Sequence, residues 1–169
     1  MTQIVVTGSP QSGKTAWIRR MTTGEWTPTT HPVPTSLLIH IRQTPTASSV
    51  EGMVFELVET DTPLTVPAAA CILFVRRQSI DSLRTLIDAL PAHLPVVVCF
   101  SRADEHIVGR KAFLNILATI VQEYRGRRYL RAYHISARSC YNLEKPLLDL
   151  ARVVRGEPNL IFTEAPSTD

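Results

Sequence analysis

Two glycines, a lysine and a threonine stand at fixed offsets near the start of the chain, in Gly8-Ser9-Pro10-Gln11-Ser12-Gly13-Lys14-Thr15. Their spacing is that of a phosphate-binding loop. Gly8 and Gly13 let the backbone curl without a Cβ in the way. The amides of Gln11, Ser12, Gly13, Lys14, Thr15 and Ala16 can then face a phosphate chain. Lys14 supplies a cation to the β- and γ-phosphates, and Thr15 a hydroxyl to Mg²⁺. An apolar run, Ile4-Val5-Val6, precedes the loop, and a helix-like run over residues 16–21 follows it. Strand, loop and helix in that order are the context such a loop requires.

The elements that must hold this loop can be read from periodicity. Residues 2–7 read as a strand and 14–21 as a helix. Residues 22–36 are rich in Thr and Pro and carry no helical period. Residues 37–42 and 53–59 read as two strands of a hairpin, joined by the polar stretch 43–52. Residues 70–75 and 95–100 are continuous apolar strands of the kind found inside a parallel sheet. Ile80, Leu83, Leu86, Ile87 and Leu90 keep helical spacing. Phe113, Ile116, Leu117, Ile120, Val121 and Tyr124 mark an amphipathic helix ended by Gly126. Residues 129–135 form the last strand. Asn142 is placed to cap a helix over 143–155, with Gly156 just past its end. Strands alternating with helices after one antiparallel hairpin predict an α/β domain with a doubly wound, mostly parallel sheet. Ligands of such sheets sit at the carboxyl ends of the strands.

At 169 residues the chain suits one domain, with a core over 2–163 and a short tail over 164–169. Apolar residues make up 44% and charged ones 20%, an ordinary globular balance. The net charge of +3 rests on 15 Arg against three Lys and decides nothing about partners. Cys71, Cys99 and Cys140 show no paired spacing, which suits reduced thiols and an intracellular home. The five His are scattered, without metal-ligand spacing. The longest apolar run, 66–75, is too short to span a bilayer. Residue 2 is Thr rather than Gly, and no Cys lies near the C-terminus, so no lipid anchor is read. Nothing points to nucleic acid.

The C-terminal third carries a resemblance. His134-Ile135-Ser136-Ala137-Arg138-Ser139-Cys140-Tyr141-Asn142-Leu143-Glu144-Lys145-Pro146 resembles the base-binding loop and last helix of the Ran family of small GTPases. The similarity continues through Leu150-Ala151-Arg152 and Gly156-Glu157-Pro158-Asn159-Leu160, and Thr23-Gly24-Glu25-Trp26 looks alike too. It covers residues 3–26 and 53–163. The resemblance implies a P-loop small-GTPase domain of six strands, one of them antiparallel, and about five helices. It implies a monomer that binds GTP or GDP with Mg²⁺ and acts through protein partners, a transport receptor or regulator of the Ran type. It also implies a place in the nucleus or cytoplasm.

Base-binding positions carry over one at a time. The family's NKxD box falls on Ser101-Arg102-Ala103-Asp104. Asp104 matches, and its carboxylate can accept two hydrogen bonds that guanine offers and adenine does not. Arg102 replaces Lys and can still stack on a base. Ser101 replaces Asn and loses an amide that ties the loops, which predicts weaker binding. The family's SAK box falls on Ser136, Ala137 and Arg138, whose amides would meet the guanine oxygen.

The departures concern hydrolysis. The first switch needs a Thr that reaches Mg²⁺. Thr29, Thr30 and Thr35 are the candidates, and Thr35 is the choice. The DxxG box falls at Glu59-Thr60-Asp61-Thr62-Pro63. An ungapped match puts Glu59 on the family's Asp, whereas the letters Asp61-Thr62 suit it better. Neither leaves the Gly, no Gln follows to orient water, and this region is shorter than in the family. Pro10 stands in the loop without an amide to donate. The expectation is guanine-nucleotide binding with very slow turnover. A scaffold that engages the same partners without cycling is the alternative. The family's acidic C-terminal arm has no counterpart in residues 163–169, so its nucleotide-driven release is not expected. Arg125, Arg127, Arg128 and Arg131 form a basic patch that suits either an acidic partner or a solvated helix end.

Overall fold

A computed structural model describes residues 1–25, 34–60, 67–101 and 109–164. Side chains alternate across a strand, so a strand covered on both faces must be apolar throughout. Two strands are of this kind, and all their residues are buried: β4 (Ala70–Phe74) and β5 (Val96–Phe100). Ala70, Ile72 and Phe74 point into one apolar layer with Val97 and Cys99. Cys71 and Leu73 point into the other with Val96, Val98 and Phe100.

Beside β4 lies β1 (Thr2–Gly8), parallel to it and to β3 (Glu51–Glu59). β5 pairs in parallel with β6 (Leu130–His134). β2 (Ser36–Arg42) is antiparallel to β3 and to a short last strand, β7 (Ile161–Thr163). The sheet order is β6-β5-β4-β1-β3-β2-β7. It is an α/β domain with a mixed, mostly parallel sheet of seven strands. Four α-helices are seen among the described residues: α1 (Lys14–Thr23), α2 (Leu83–Asp88), α3 (Arg110–Tyr124) and α4 (Lys145–Arg155). α1 and α4 cover one face through Trp17, Ile18, Leu147, Leu150 and Ala151. α2 and α3 cover the other through Leu83, Ile87, Phe113, Leu117 and Ile120.

The resemblance implies six strands and about five helices, whereas the described residues form seven strands and four α-helices. The additional strand forms because Gly156 turns the chain at φ 65° and Leu160 is buried in the first layer. Arg152 donates to the Leu160 carbonyl at 2.8 Å, and Phe162 then lies opposite Ile41. The helical spacing from Ile80 begins as a 3-10 turn over Arg77–Ser82 and becomes α-helix only at Leu83. Asn142 is not the cap of the last helix. It sits at φ 52° and donates through Nδ2 to the His134 carbonyl at 3.0 Å, and the helix starts at Lys145.

The chain leaves β1 for β2 and β3 on one side and returns to β4 on the other. The winding therefore reverses at β1, and open sheets of this kind take ligands beyond the carboxyl end of the strand where that happens. No helix among the described residues is long and apolar enough to cross a membrane.

Candidate phosphate-binding site

The loop from Gly8 to Gly13 lies at that reversal. Gly8 adopts φ 141° and passes so close to β4 that a Cβ on it would stand 1.8 Å from the Phe74 carbonyl oxygen. The Ser9 amide donates to the same oxygen at 3.0 Å, which pins the start of the loop. Gln11 has φ 57° and Gly13 φ 99°, with Ser12 between them in ordinary backbone. Alternation of hand over consecutive residues curls their N–H groups toward one side, the form of an anion-binding concavity. Ser12 is buried, and its hydroxyl donates to the Ser9 carbonyl at 2.5 Å, closing the turn from within. Pro10 and Gln11 are exposed at the tip.

Lys14 is only 6% exposed. Its ammonium donates to the carbonyls of Ser9 at 3.0 Å and Gly8 at 3.4 Å, so it spans the loop from below. The helix begins at Lys14 with glycine at its N-cap and no side-chain cap. Its first intrahelical bond runs from the Trp17 amide to the Gly13 carbonyl, 3.0 Å. The amides of Thr15 and Ala16 thus belong to an uncapped first turn, where the helix dipole favours an anion. Gly13 must stay bare for a second reason. A Cβ there would lie 2.8 Å from Cβ of Ser101, so the start of the segment after β5 rests directly on the glycine loop.

Thr15 is exposed, and its hydroxyl donates to Oε1 of Glu59 at 2.6 Å. Glu59 ends β3, level with Val6 of β1, and the Thr60 amide bonds the Val6 carbonyl at 3.0 Å. Strand register therefore brings a carboxylate to the hydroxyl. A hydroxyl and a carboxylate oxygen side by side are hard donors of the type that Mg²⁺ takes, together with phosphates and water. Among the described residues no group of three or more His, Cys, Asp or Glu could hold a metal without a ligand's help. Thr35 lies elsewhere. Its hydroxyl donates to Glu56 at 2.6 Å, and its carbonyl accepts from the Leu57 amide at 2.8 Å. The Ser36 hydroxyl also donates to Glu56, and these two bonds hold that carboxyl below its usual range.

Ser136 follows β6 and is 1% exposed. Its amide donates to the Tyr141 carbonyl at 3.0 Å, and its hydroxyl accepts from the Ser139 amide at 3.1 Å. The segment 136–142 is thus a closed turn, with Cys140 at φ 63° and Asn142 at φ 52°. α1 holds it from beneath. Trp17 donates through Nε1 to the Leu143 carbonyl at 3.0 Å. Arg20 reaches the Cys140 sulfur through Nη2 at 2.8 Å and Nε at 3.2 Å. The Ser136 amide already has an acceptor within the turn, so a guanine oxygen would have to meet those of Ala137 and Arg138. The turn stands beside β5, since the Ile135 amide donates to the Phe100 carbonyl at 2.9 Å.

The structure thus brings Gly8, Gln11, Ser12, Gly13, Lys14, Thr15 and Ala16 into one loop at the end of β1. It places Ser101 against that loop and Ser136, Ala137 and Arg138 at the end of β6. Arg102, Asp104, Thr29, Thr30, Asp61 and Thr62 lie outside the described residues. The sequence leaves Glu59 and Asp61 as alternatives for one role, and the bond to Thr15 gives Glu59 a contact that letters alone cannot supply. No protein-family model matches the chain.

Proposed function

We propose that this chain is a Ran-like guanine-nucleotide-binding protein that holds GTP or GDP with Mg²⁺ and acts through protein partners in nucleocytoplasmic transport. One observation carries the reading: a buried Lys14 spans a glycine loop whose amides open an uncapped helix at the carboxyl end of β1. The amides of Gln11 to Ala16 and the Lys14 ammonium would bind the phosphates. Thr15 and Glu59 would hold the metal, which when bound neutralises phosphate charge. Asp104, Arg102, Ala137 and Arg138 would select and cover the guanine. Hydrolysis is slow in this reading, because no residue after Glu59 supplies the Gly and Gln that bring water to the γ-phosphate in the family.

A second reading has an observation of its own. Thr35 bonds Glu56 and Leu57 rather than facing the phosphate loop, which favours a scaffold that keeps one shape whatever nucleotide it holds. Titration of nucleotide-free protein with labelled GDP, GTP and ATP, with and without Mg²⁺, separates the two. Guanine-selective binding with a partner affinity that differs between GDP and GTP supports the first. Partner binding indifferent to nucleotide supports the second. Preference for ATP sinks both.

A further inference from the structure

We propose that Glu59 ligates the metal directly beside Thr15, and that this pair makes metal binding independent of Thr35 and of the third phosphate. The inference rests on the nucleotide reading above and concerns the same site. Oxygens on adjacent corners of an octahedral Mg²⁺ shell lie about 2.9 Å apart, given ligand distances of roughly 2.0 to 2.1 Å. The Thr15 hydroxyl and Glu59 Oε1 already lie 2.6 Å apart. A small side-chain rotation brings both onto one cation.

The reach comes from side-chain length. Glu59 extends from a strand end fixed by pairing with Val6 and by the Thr60–Val6 bond. An aspartate on the same Cα would end about 1.5 Å short, one carbon–carbon bond. Such a carboxylate would recede from the metal to the distance at which water mediates. At residue 59 the extra methylene turns a supporting carboxylate into a ligand.

Thr35 is held away by a different part of the same strand. Its carbonyl is bonded to the Leu57 amide and its hydroxyl to Glu56. Leu57 precedes Glu59 by two residues, roughly 7 Å along the strand. To join the metal, Thr35 would have to break both bonds and climb that distance. Glu59 reaches the site with no such change. The triphosphate then gains no protein ligand that the diphosphate lacks, and the metal is held alike in both complexes.

The test uses Mn²⁺ as the probe, titrated by electron paramagnetic resonance into the full chain loaded with GDP or with a non-hydrolysable GTP analogue. Nucleotide affinity is first measured in EDTA for each variant, which also reports that it is folded. Glu59→Gln should weaken Mn²⁺ binding by more than about 100-fold in both complexes, beyond the roughly 10- to 100-fold that loss of an outer-shell partner costs. Glu59→Asp should weaken it in both as well, and Thr35→Ala should leave it unchanged in both. An Asp variant that binds Mn²⁺ as tightly as the unaltered chain overturns direct ligation. A Thr35→Ala variant weakened only with the triphosphate overturns independence from the switch. Loss of all nucleotide binding by the unaltered chain in EDTA and in Mg²⁺ overturns the nucleotide reading and this proposal together. Retained nucleotide with Mn²⁺ indifferent to Glu59 overturns this proposal alone.

Discussion

A methyl group added at residue 8 would press on the Phe74 carbonyl, 1.8 Å from its oxygen, and would also force an L side chain to φ 141°. Neither cost can be relieved by a rotamer change, because the obstacle is backbone of a fully buried strand. Gly8→Ala should therefore destabilise the fold by at least about 3 kcal/mol, since overpacking against backbone and backbone strain add. Thermal unfolding followed by circular dichroism checks it, and a change in Tm of less than a degree would contradict the packing described. Gly24 makes the contrast. It also has positive φ, but open space surrounds it, so Gly24→Ala should show the cost of strain alone. The need for glycine at residue 8 is legible in the sequence as a motif letter. Its neighbour is not, because Phe74 is 66 positions away and only the β1–β4 register brings it close.

At the scale of elements, the sequence is most informative where burial is complete. β4 and β5 read as unbroken apolar runs because helices cover both their faces. α3 reads from its spacing because Phe113, Leu117, Ile120 and Tyr124 must share one side. β7 is missed for the opposite reason. Three residues after a glycine turn carry no periodicity, and their strand character comes from pairing with Ile41 and its neighbours. The basic patch after α3 is a mixture that composition cannot sort. Arg128 is tied down by the carbonyls of Ile87 at 3.2 Å, Pro91 at 2.8 Å and Leu94 at 2.9 Å. Burial lowers its guanidinium from the usual range, and those three acceptors offset part of the cost. Arg127 instead lies over the Tyr124 ring, and Arg125 is exposed. Arg128→Ala should cost about 2 kcal/mol, or roughly 6 °C in Tm, and Arg128→Lys should restore little, since one ammonium cannot serve three divergent carbonyls. Arg125→Ala should leave Tm unchanged. Equal effects of the two alanine variants would refute the structural role of Arg128.

For the whole molecule, pH offers a readout of how the end of β6 is packed. His134 closes β6 between the rings of Phe100, at 5.6 Å, and Phe113, at 5.4 Å. Its Nε2 is buried without a hydrogen-bond partner among the described residues. Burial, and then the nearby charges of Arg77 and Arg110, push its pKa below the ordinary value of 6.5. The folded state therefore binds fewer protons than the unfolded chain once the pH drops below about 6.5. Stability is full above that value and falls as the pH falls toward the lowered pKa of the folded state, where the loss stops. Urea unfolding at a series of pH values from 8 down to about 5 should show this decline before most carboxylates titrate. His134→Phe keeps an aromatic ring between Phe100 and Phe113 and removes the proton site. It should flatten the profile over that window. A variant with the same slope as the unaltered chain would show that the pH dependence arises elsewhere, and that the imidazole between these rings meets its charge without penalty.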